Sequence, residues 1–266
     1  MKVADLVRAL EEAAPLAYAE EWDNVGLLAG DPNAAIARVM VAIDCTREVI
    51  DEAARAECQA IVAYHPAIFR PMTRVTRGSI AYELVRRDLA LYSPHTALDA
   101  ADGGTNDVLA DAIGMKEETR RAIRAAKRST TASGALLEKI GMGRIGAVAS
   151  IDRAALVARV KEKLAIDHVL VAGPTSGEVT RVAVCAGSAG DLLDAAIALG
   201  AQAIVTGEVR HHDALGAAAR GVTVICALHS NSERIALLPL AARLRAALAG
   251  VDVSLSRVDR DPFAIA

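Results

Sequence analysis

Aromatic side chains are scarce in this chain: Trp, Tyr and Phe make up 3% of its 266 residues. So few rings argue against the stacking platforms that hold single-stranded nucleic acid, since each bound base needs an aromatic face. A basic surplus is missing too. Thirty Lys and Arg against 33 Asp and Glu leave a net charge of -3, whereas polyanion binders carry a clear positive excess. Nucleic acid is therefore not the expected main partner. One local exception is the run Arg120, Arg121, Arg124, Lys127 and Arg128, which reads as a solvated helix face or a connector. No stretch approaches the roughly eighteen uncharged apolar residues of a membrane span, and Glu11 and Glu12 interrupt the segment where a secretory leader needs apolar continuity. The expectation is a cytoplasmic protein that does not cross a membrane. Its cysteines, Cys45, Cys58, Cys185 and Cys226, form no C-x-x-C pair, which argues against a thiolate zinc site. They read as reduced core residues, because buried cysteine behaves as a small hydrophobe. Alanine and valine carry the core, and a chain of this length can bury one without disulfide or metal staples.

What is present is periodic. Val3, Leu6, Val7 and Leu10 repeat with the spacing of a helix that buries one face, bounded by Pro15. From Arg38 short β-rich runs (Val39 to Ile43, Ala60 to Tyr64, Ala90 to Ser93) alternate with helical stretches starting near Thr46 and Ser79. That alternation predicts a mainly parallel sheet with helical crossovers. Val108 to Ile113 reads as a further helix with Thr105 as N-cap and Gly114 as stop. A last helix runs from about Ile235 to Gly250, kinked or started late by Pro239, and Val251 to Leu255 reads as a final strand.

The chain also resembles itself. Residues 38–65 (RVMVAIDCTREVIDEAARAECQAIVAYH) and 181–208 (RVAVCAGSAGDLLDAAIALGAQAIVTGE) align without a gap, matching Arg38 with Arg181, Asp51 with Asp194, and Gln-Ala-Ile-Val with Gln-Ala-Ile-Val. Beyond each copy the next apolar run ends in His95-x-x-x-Asp99 or His229-x-x-x-Glu233. The fold class is therefore α/β: two related lobes from an internal β-α-β duplication, with mainly parallel sheets and flanking helices. Residues 115–150, polar and then punctuated at Gly134, Gly141, Gly143 and Gly146, suit a connection between lobes. The expected division is 1–115 with 228–266 in the first lobe and 116–227 in the second.

In open α/β sheets ligands bind beyond the carboxyl ends of the strands, and His65, His95, Asp99, Glu208, His229 and Glu233 all fall at such ends. Imidazole and carboxylate donors together suit Zn, Mn, Fe, Co or Ni. Any one of these residues has an ordinary structural alternative, a satisfied buried histidine or a helix-capping carboxylate. Their equivalent placement in two copies favours one or two divalent metal ions, with a site built for hydrolysis. Ala186-Gly187-Ser188-Ala189-Gly190 before a helix reads either as an anion cradle or as turn chemistry.

Taken in order, EWDNVGLLAG (21–30), VAYHPAIFRPM (62–72), PHTALDAADGGTND (94–107), GRIG (143–146), VTGEVRHHDAL (205–215) and HSNSERI (229–235) make the chain resemble the Nif-three-like family, the GTP cyclohydrolase 1 type 2 homologues. These stretches span nearly the whole chain, and Tyr-His-Pro with HSNSER resembles the family's eukaryote-type branch. The resemblance implies a two-lobe α/β fold, a toroidal homohexamer and a dinuclear metal site facing an internal cavity. The separate inserted domain of some members has no counterpart here. By position the metal ligands fall on His65, Asp99, His229 and Glu233. Many bacterial members have two histidines where this chain has Tyr64-His65, so Tyr64 marks either a weak second metal position or a neighbour of the ligands. Trp22, Asp23 and Asn24 match the opening motif, as pocket lining or as loop anchors. Glu208, His211 and His212, at another strand end, either support the metal ligands from behind or bind substrate, or are plain surface residues. His95 is the candidate proton carrier. The function so implied is a metal-dependent hydrolase with a small-molecule substrate, cyclohydrolase-like on a purine nucleotide. The alternative is a ring-shaped metal-binding scaffold or regulator that recruits a protein or nucleic acid.

Overall fold

The computed structural model describes residues 1–126 and 138–265. In chain order these form α1 (Val3–Ala13), β1 (Gly26–Ala29), β2 (Arg38–Ala42), α2 (Arg47–Arg55), β3 (Ala60–Ala63), α3 (Ile80–Arg86), β4 (Ala90–Ser93) and α4 (His95–Ala100). Next come α5 (Thr105–Ala112), β5 (Arg121–Ala125), β6 (Gly141–Asp152), α6 (Arg153–Leu164), β7 (Leu170–Ala172), β8 (Glu178–Ser188), α7 (Leu192–Ala198) and β9 (Ala203–Glu208). Then follow α8 (His211–Ala219), β10 (Thr223–Cys226), α9 (His229–Arg234), α10 (Leu237–Ala247) and β11 (Asp252–Leu255). Two compact units result, one of residues 1–98 with 237–266 and one of residues 99–236. The expected boundaries were 115/116 and 227/228. In the structure α5 and α9 belong with the second unit: Leu109, Ala110 and Ile113 pack into its core with Val182, Val184 and Val205, and Ser232 of α9 accepts from the Gly187 N–H at the end of β8.

The first unit holds a five-stranded sheet in the order β1-β4-β3-β2-β11, parallel except for the edge strand β1. One face packs Met40, Ala42, Ile61, Ala63 and Leu91 with Val49 and Ile50 of α2 and Leu84 of α3. Burial on both faces explains why these strands read as continuous apolar runs. Val3, Leu6 and Leu10 bury the predicted face of α1, and Thr46 and Ser79 cap α2 and α3 through their hydroxyls. Pro239 falls in the first turn of α10, where its missing N–H has no intrahelical partner to lose, so the helix starts late.

In the second unit the sheet order is β5-β6-β8-β9-β10-β7. Its parallel centre, β8-β9-β10, is flanked by antiparallel strands on both sides. Successive residues of β8 alternate between two buried faces, Val182 and Val184 on one and Ala183 and Cys185 on the other. Part of the stretch expected as a connection is thus sheet: Gly141, Gly143 and Gly146 lie in β6, while Gly134 lies outside the described residues. The basic run is corrected likewise. Arg121 and Arg124 sit on strand β5, not on a helix, and Arg120 is buried against Asp107 and Asp111; Lys127 and Arg128 lie outside the described residues. Antiparallel pairing with β6, Arg121 opposite Ile145 and Arg124 opposite Met142, makes this segment a strand. The N-cap of α5 is Gly104, with Thr105 buried as the first helical residue.

The duplication is visible in the pairing. Val39 pairs with Ala60 and Val182 with Ala203, at the offset of the ungapped alignment, and both pairs are parallel. Gln59 Oε1 accepts from the backbone N–H of Ala37 and Arg38 at 2.8 and 3.0 Å. Gln202 Oε1 does the same for Thr180 and Arg181 at 2.8 and 3.1 Å. Asp51 is paired with Arg87, and its equivalent Asp194 with Arg220. The matched glutamines thus tie the first strand to the end of its crossover, and the matched aspartates tie the crossover helix to the end of the next helix, in each unit.

Candidate functional site

Within the first unit, Tyr64 and His65 directly follow β3. Their N–H groups donate to the carbonyls of Ala42 and Ile43 at 2.9 Å each, carrying the ladder to His65, and Pro66 has no N–H with which to continue it. Tyr64 is buried at 1% exposure, with its ring edge-on to His65 and His95 at 5.2 and 5.9 Å. His65 Nδ1 lies 2.9 Å from Asp44 Oδ1. An ionised carboxylate only accepts, so the imidazole donates from Nδ1.

His95 opens α4 with φ +26, a left-handed conformation that a non-glycine residue adopts at a cost. Its Nδ1 donates to Asp23 Oδ1 at 2.8 Å, and Asp23 Oδ2 accepts from the Thr96 N–H at 3.1 Å and the Thr96 hydroxyl at 2.5 Å. Burial pushes the Asp23 carboxyl upward, but the hydrogen bonds from His95 and Thr96 outweigh it and hold the group below its ordinary 3.8. Asn24 donates to the Ile68 carbonyl at 2.5 Å and so fastens the following loop. Trp22 stands 60% exposed, edge-on to Phe69 and His95 at 6.0 and 6.1 Å. Of the opening motif, then, Asp23 touches His95, Asn24 anchors a loop, and Trp22 leaves a ring face to solvent.

In the second unit, His229 and Glu233 stand one turn apart on α9, with Nε2 and Oε1 3.1 Å from each other. His229 Nδ1 lies 3.0 Å from Glu208 Oε1. Glu233 is buried at 2% exposure. Asp99 is buried, and its backbone carbonyl accepts from Asn106 Nδ2 at 3.0 Å while Asn106 Oδ1 accepts from the Ala186 N–H at 2.9 Å. Ser232 Oγ donates to the His229 carbonyl at 2.7 Å and accepts from the Gly187 N–H at 2.8 Å. The turn into α9 passes through Leu228 at φ +69.

Two glycines make this packing feasible. A Cβ on Gly187 (φ +65) would fall 2.5 Å from Glu233 Oε1 and 3.2 Å from His229 Nε2. One on Gly207 would fall 2.4 Å from the Gly187 carbonyl and 2.8 Å from His229 Cα. In the 186–190 stretch, Gly187 therefore serves close approach. His211 and His212 are exposed in the first turn of α8, stacked edge-on against one another at 5.3 Å.

Sequence reasoning passed over several contributors. Asp44 stands just beyond the carboxyl end of β2, and the strand-end rule applied there would have found it. Asn106 and Ser232 act through backbone contacts that no residue spacing announces. Nor does the sequence reveal the fully buried Arg144, whose Nε and one terminal nitrogen each donate to Asp107 at 2.9 Å and whose other terminal nitrogen donates to the Gly141 and Gly143 carbonyls. Burial pushes the thiols of Cys45 and Cys226 up to about 12 and about 11, and all four cysteines are free and buried. They are protonated core residues near neutral pH.

Comparison with known proteins places these observations. The family model described as Duf34/NIF3 (NGG1p interacting factor 3) matches residues 1–262. NIF3-like protein 1 of Drosophila melanogaster is 35% identical, over 98% of this chain and 88% of its own. A GTP cyclohydrolase 1 type 2 homolog of Clostridium perfringens is 29% identical, over 99% of each. The crystal structure of the Staphylococcus aureus hypothetical protein SA1388 is similar with a TM-score of 0.89 and 30% identity, covering 100% of this chain and 99% of that one.

Proposed function

The chain belongs to the Duf34/NIF3 family, and from that premise we propose that it is a divalent-metal-dependent hydrolase whose ligands are His229, Glu233, Asp99 and His65. The observation that carries this reading is His229 standing between two carboxylate oxygens, Glu208 at 3.0 Å and Glu233 at 3.1 Å. An imidazolium would donate to both, but the neutral imidazole that ligates a metal has one N–H and can donate to only one of them. The other nitrogen then faces a carboxylate oxygen, lone pair to lone pair, and a cation between them relieves the repulsion. Two donors each about 2.0–2.2 Å from one ion can stand up to about 4 Å apart, so the 3.1 Å separation fits a shared metal. Imidazole with carboxylate suits Zn, Mn, Fe, Co or Ni.

A bound ion supplies Lewis acidity and lowers the pKa of water. The chain's own residues do the rest. Gly187 and Gly207 let Glu233 and His229 close on each other. Asp23 fixes the His95 ring through Nδ1, leaving Nε2 as the atom that takes or returns a proton. The substrate class we propose is a purine nucleotide attacked at the C–N bonds of its five-membered ring, in keeping with the name of the Clostridium relative. The toroidal hexamer belongs to the same proposal and is read by analytical ultracentrifugation.

The decisive test measures metal content of untreated protein and nucleotide turnover after metal restoration, alongside Glu233→Ala and His229→Ala. Turnover that tracks metal content supports the hydrolase. A family description that names an NGG1p-interacting factor favours a second reading, a metal-holding scaffold for a protein partner. No helix among the described residues is long and apolar enough to cross a membrane. Retained metal with no turnover on any nucleotide would favour the scaffold.

A further inference from the structure

Three histidines at strand ends share one device. His65, His95 and His229 each turn Nδ1 to a carboxylate, of Asp44, Asp23 and Glu208, at 2.9, 2.8 and 3.0 Å. In the ungapped alignment Glu208 occupies the place of His65, so the second copy has a carboxylate where the first has an imidazole. We propose that Glu208 is a positioning residue that holds His229 as its Nδ1–H tautomer with Nε2 turned to Glu233, and that Asp44 does the same for His65. This rests on the metal-ligand reading above.

The argument is one of tautomers and aim. Imidazole in water distributes its proton over both nitrogens and turns freely about χ2. A ligand must present one particular nitrogen unprotonated. The Glu208 carboxylate accepts only, so the proton sits on Nδ1 and Nε2 keeps its lone pair. The same bond fixes the ring plane, while Ser232 Oγ, on the His229 carbonyl at 2.7 Å, fixes the backbone that carries it. Metal-bound histidines generally keep an outer partner of this kind, whose removal costs about 10–100-fold in metal affinity. Glu208 is well placed for a test because its side chain is 55% exposed, so truncating it leaves the core untouched.

The experiment compares the full chain with Glu208→Ala and Glu208→Gln, and with Asp44→Ala. In metal-stripped protein, the nitrogen-15 shifts of the imidazole rings report the tautomer. Zinc affinity is then titrated against a chromophoric chelator. The expected result is an Nδ1–H tautomer for His229 that becomes mixed in Glu208→Ala, zinc binding weakened about 10–100-fold, and an intermediate loss in Glu208→Gln, which keeps an oxygen acceptor without the charge. Asp44→Ala should mix the tautomer of His65 alone. An Nε2–H tautomer in the unaltered protein, or zinc affinity unchanged in Glu208→Ala, overturns the proposal. Failure of the unaltered protein to bind zinc or any other divalent ion would instead sink the metal reading, with the tautomer measurement still deciding what Glu208 does.

Discussion

Substituting Gly187→Ala separates the cost of a backbone shape from the cost of crowding the proposed ligand Glu233. Gly187 has φ +65, and an alanine held there pays about 1–2 kcal/mol for the left-handed conformation. Part of this is offset by about 0.4–1 kcal/mol from the lower entropy of the unfolded alanine chain. On top of this, the new Cβ would stand 2.5 Å from Glu233 Oε1, and the carboxylate must retreat by about half an ångström to reach even 3.0 Å. Metal sites tolerate roughly 0.2 Å in ligand distance, so the retreat should weaken binding at least about tenfold. Gly190 supplies the control: its φ is +48 and a Cβ there meets nothing within 4 Å. Gly190→Ala should lose comparable stability in urea while its metal affinity stays that of the unaltered chain. Chelator competition on both variants, with urea melts beside them, reads the two effects apart. If Gly187→Ala bound metal as well as Gly190→Ala does, the crowding of Glu233 would have no consequence and the cradle argument would be wrong.

Asp99→Ala and Glu233→Ala should each strip metal while leaving cooperative urea unfolding, since the core of each unit is apolar; loss of cooperativity would show the ion to be structural. Arg144→Met leaves the buried Asp107 with Arg120 and the Gly103 N–H and should cost about 3 kcal/mol, the lower end for a broken buried pair, checked by the same melts. Asp23→Asn should destabilise at pH 7, and the deficit should shrink as pH falls. A carboxyl held below 3.8 in the folded state contributes fully above its unfolded pKa and loses that contribution as pH drops through the folded one; a deficit constant from pH 7 to 2.5 would contradict this. Tyr64→Phe should leave metal content nearly unchanged by elemental analysis, and loss of an ion would make the phenolate a ligand.

The parts legible in the sequence are those with a period or a repeat. α1 and the parallel strands followed from apolar spacing, and the equivalence of the two β-α-β segments reappears as matched strand registers and matched glutamine bonds. Hidden were features set by contact between distant residues. The edge strand β5 and its neighbour β6 could not be read, because glycines that signal a loop by composition here admit close strand packing: a Cβ on Gly141 would fall 2.1 Å from the Arg124 carbonyl. Arg120 looked like surface charge because its partners Asp107 and Asp111 lie on the preceding helix. The roles of Asp44 and Glu208 depend on which ring nitrogen faces them, and no spacing encodes that.

Comparing the two copies position by position shows how one scaffold carries two arrangements. The residues that fix the scaffold are kept: Gln59 and Gln202, Asp51 with Arg87 and Asp194 with Arg220. The residues proposed to carry chemistry are exchanged in pairs. At the end of the first strand, one copy has Asp44, which holds a histidine, while the other has Gly187, which must stay empty for Glu233 to fit. At the end of the second, one copy has His65 and the other Glu208, which holds His229. A carboxylate orients a histidine in each unit, but it comes from the first strand in one and from the second in the other. These exchanges are therefore coupled, and copying a single residue across should fail. Gly187→Asp would bring a second carboxylate onto Glu233, adding charge repulsion to the collision, although Asp44 at the same position is what the first unit requires.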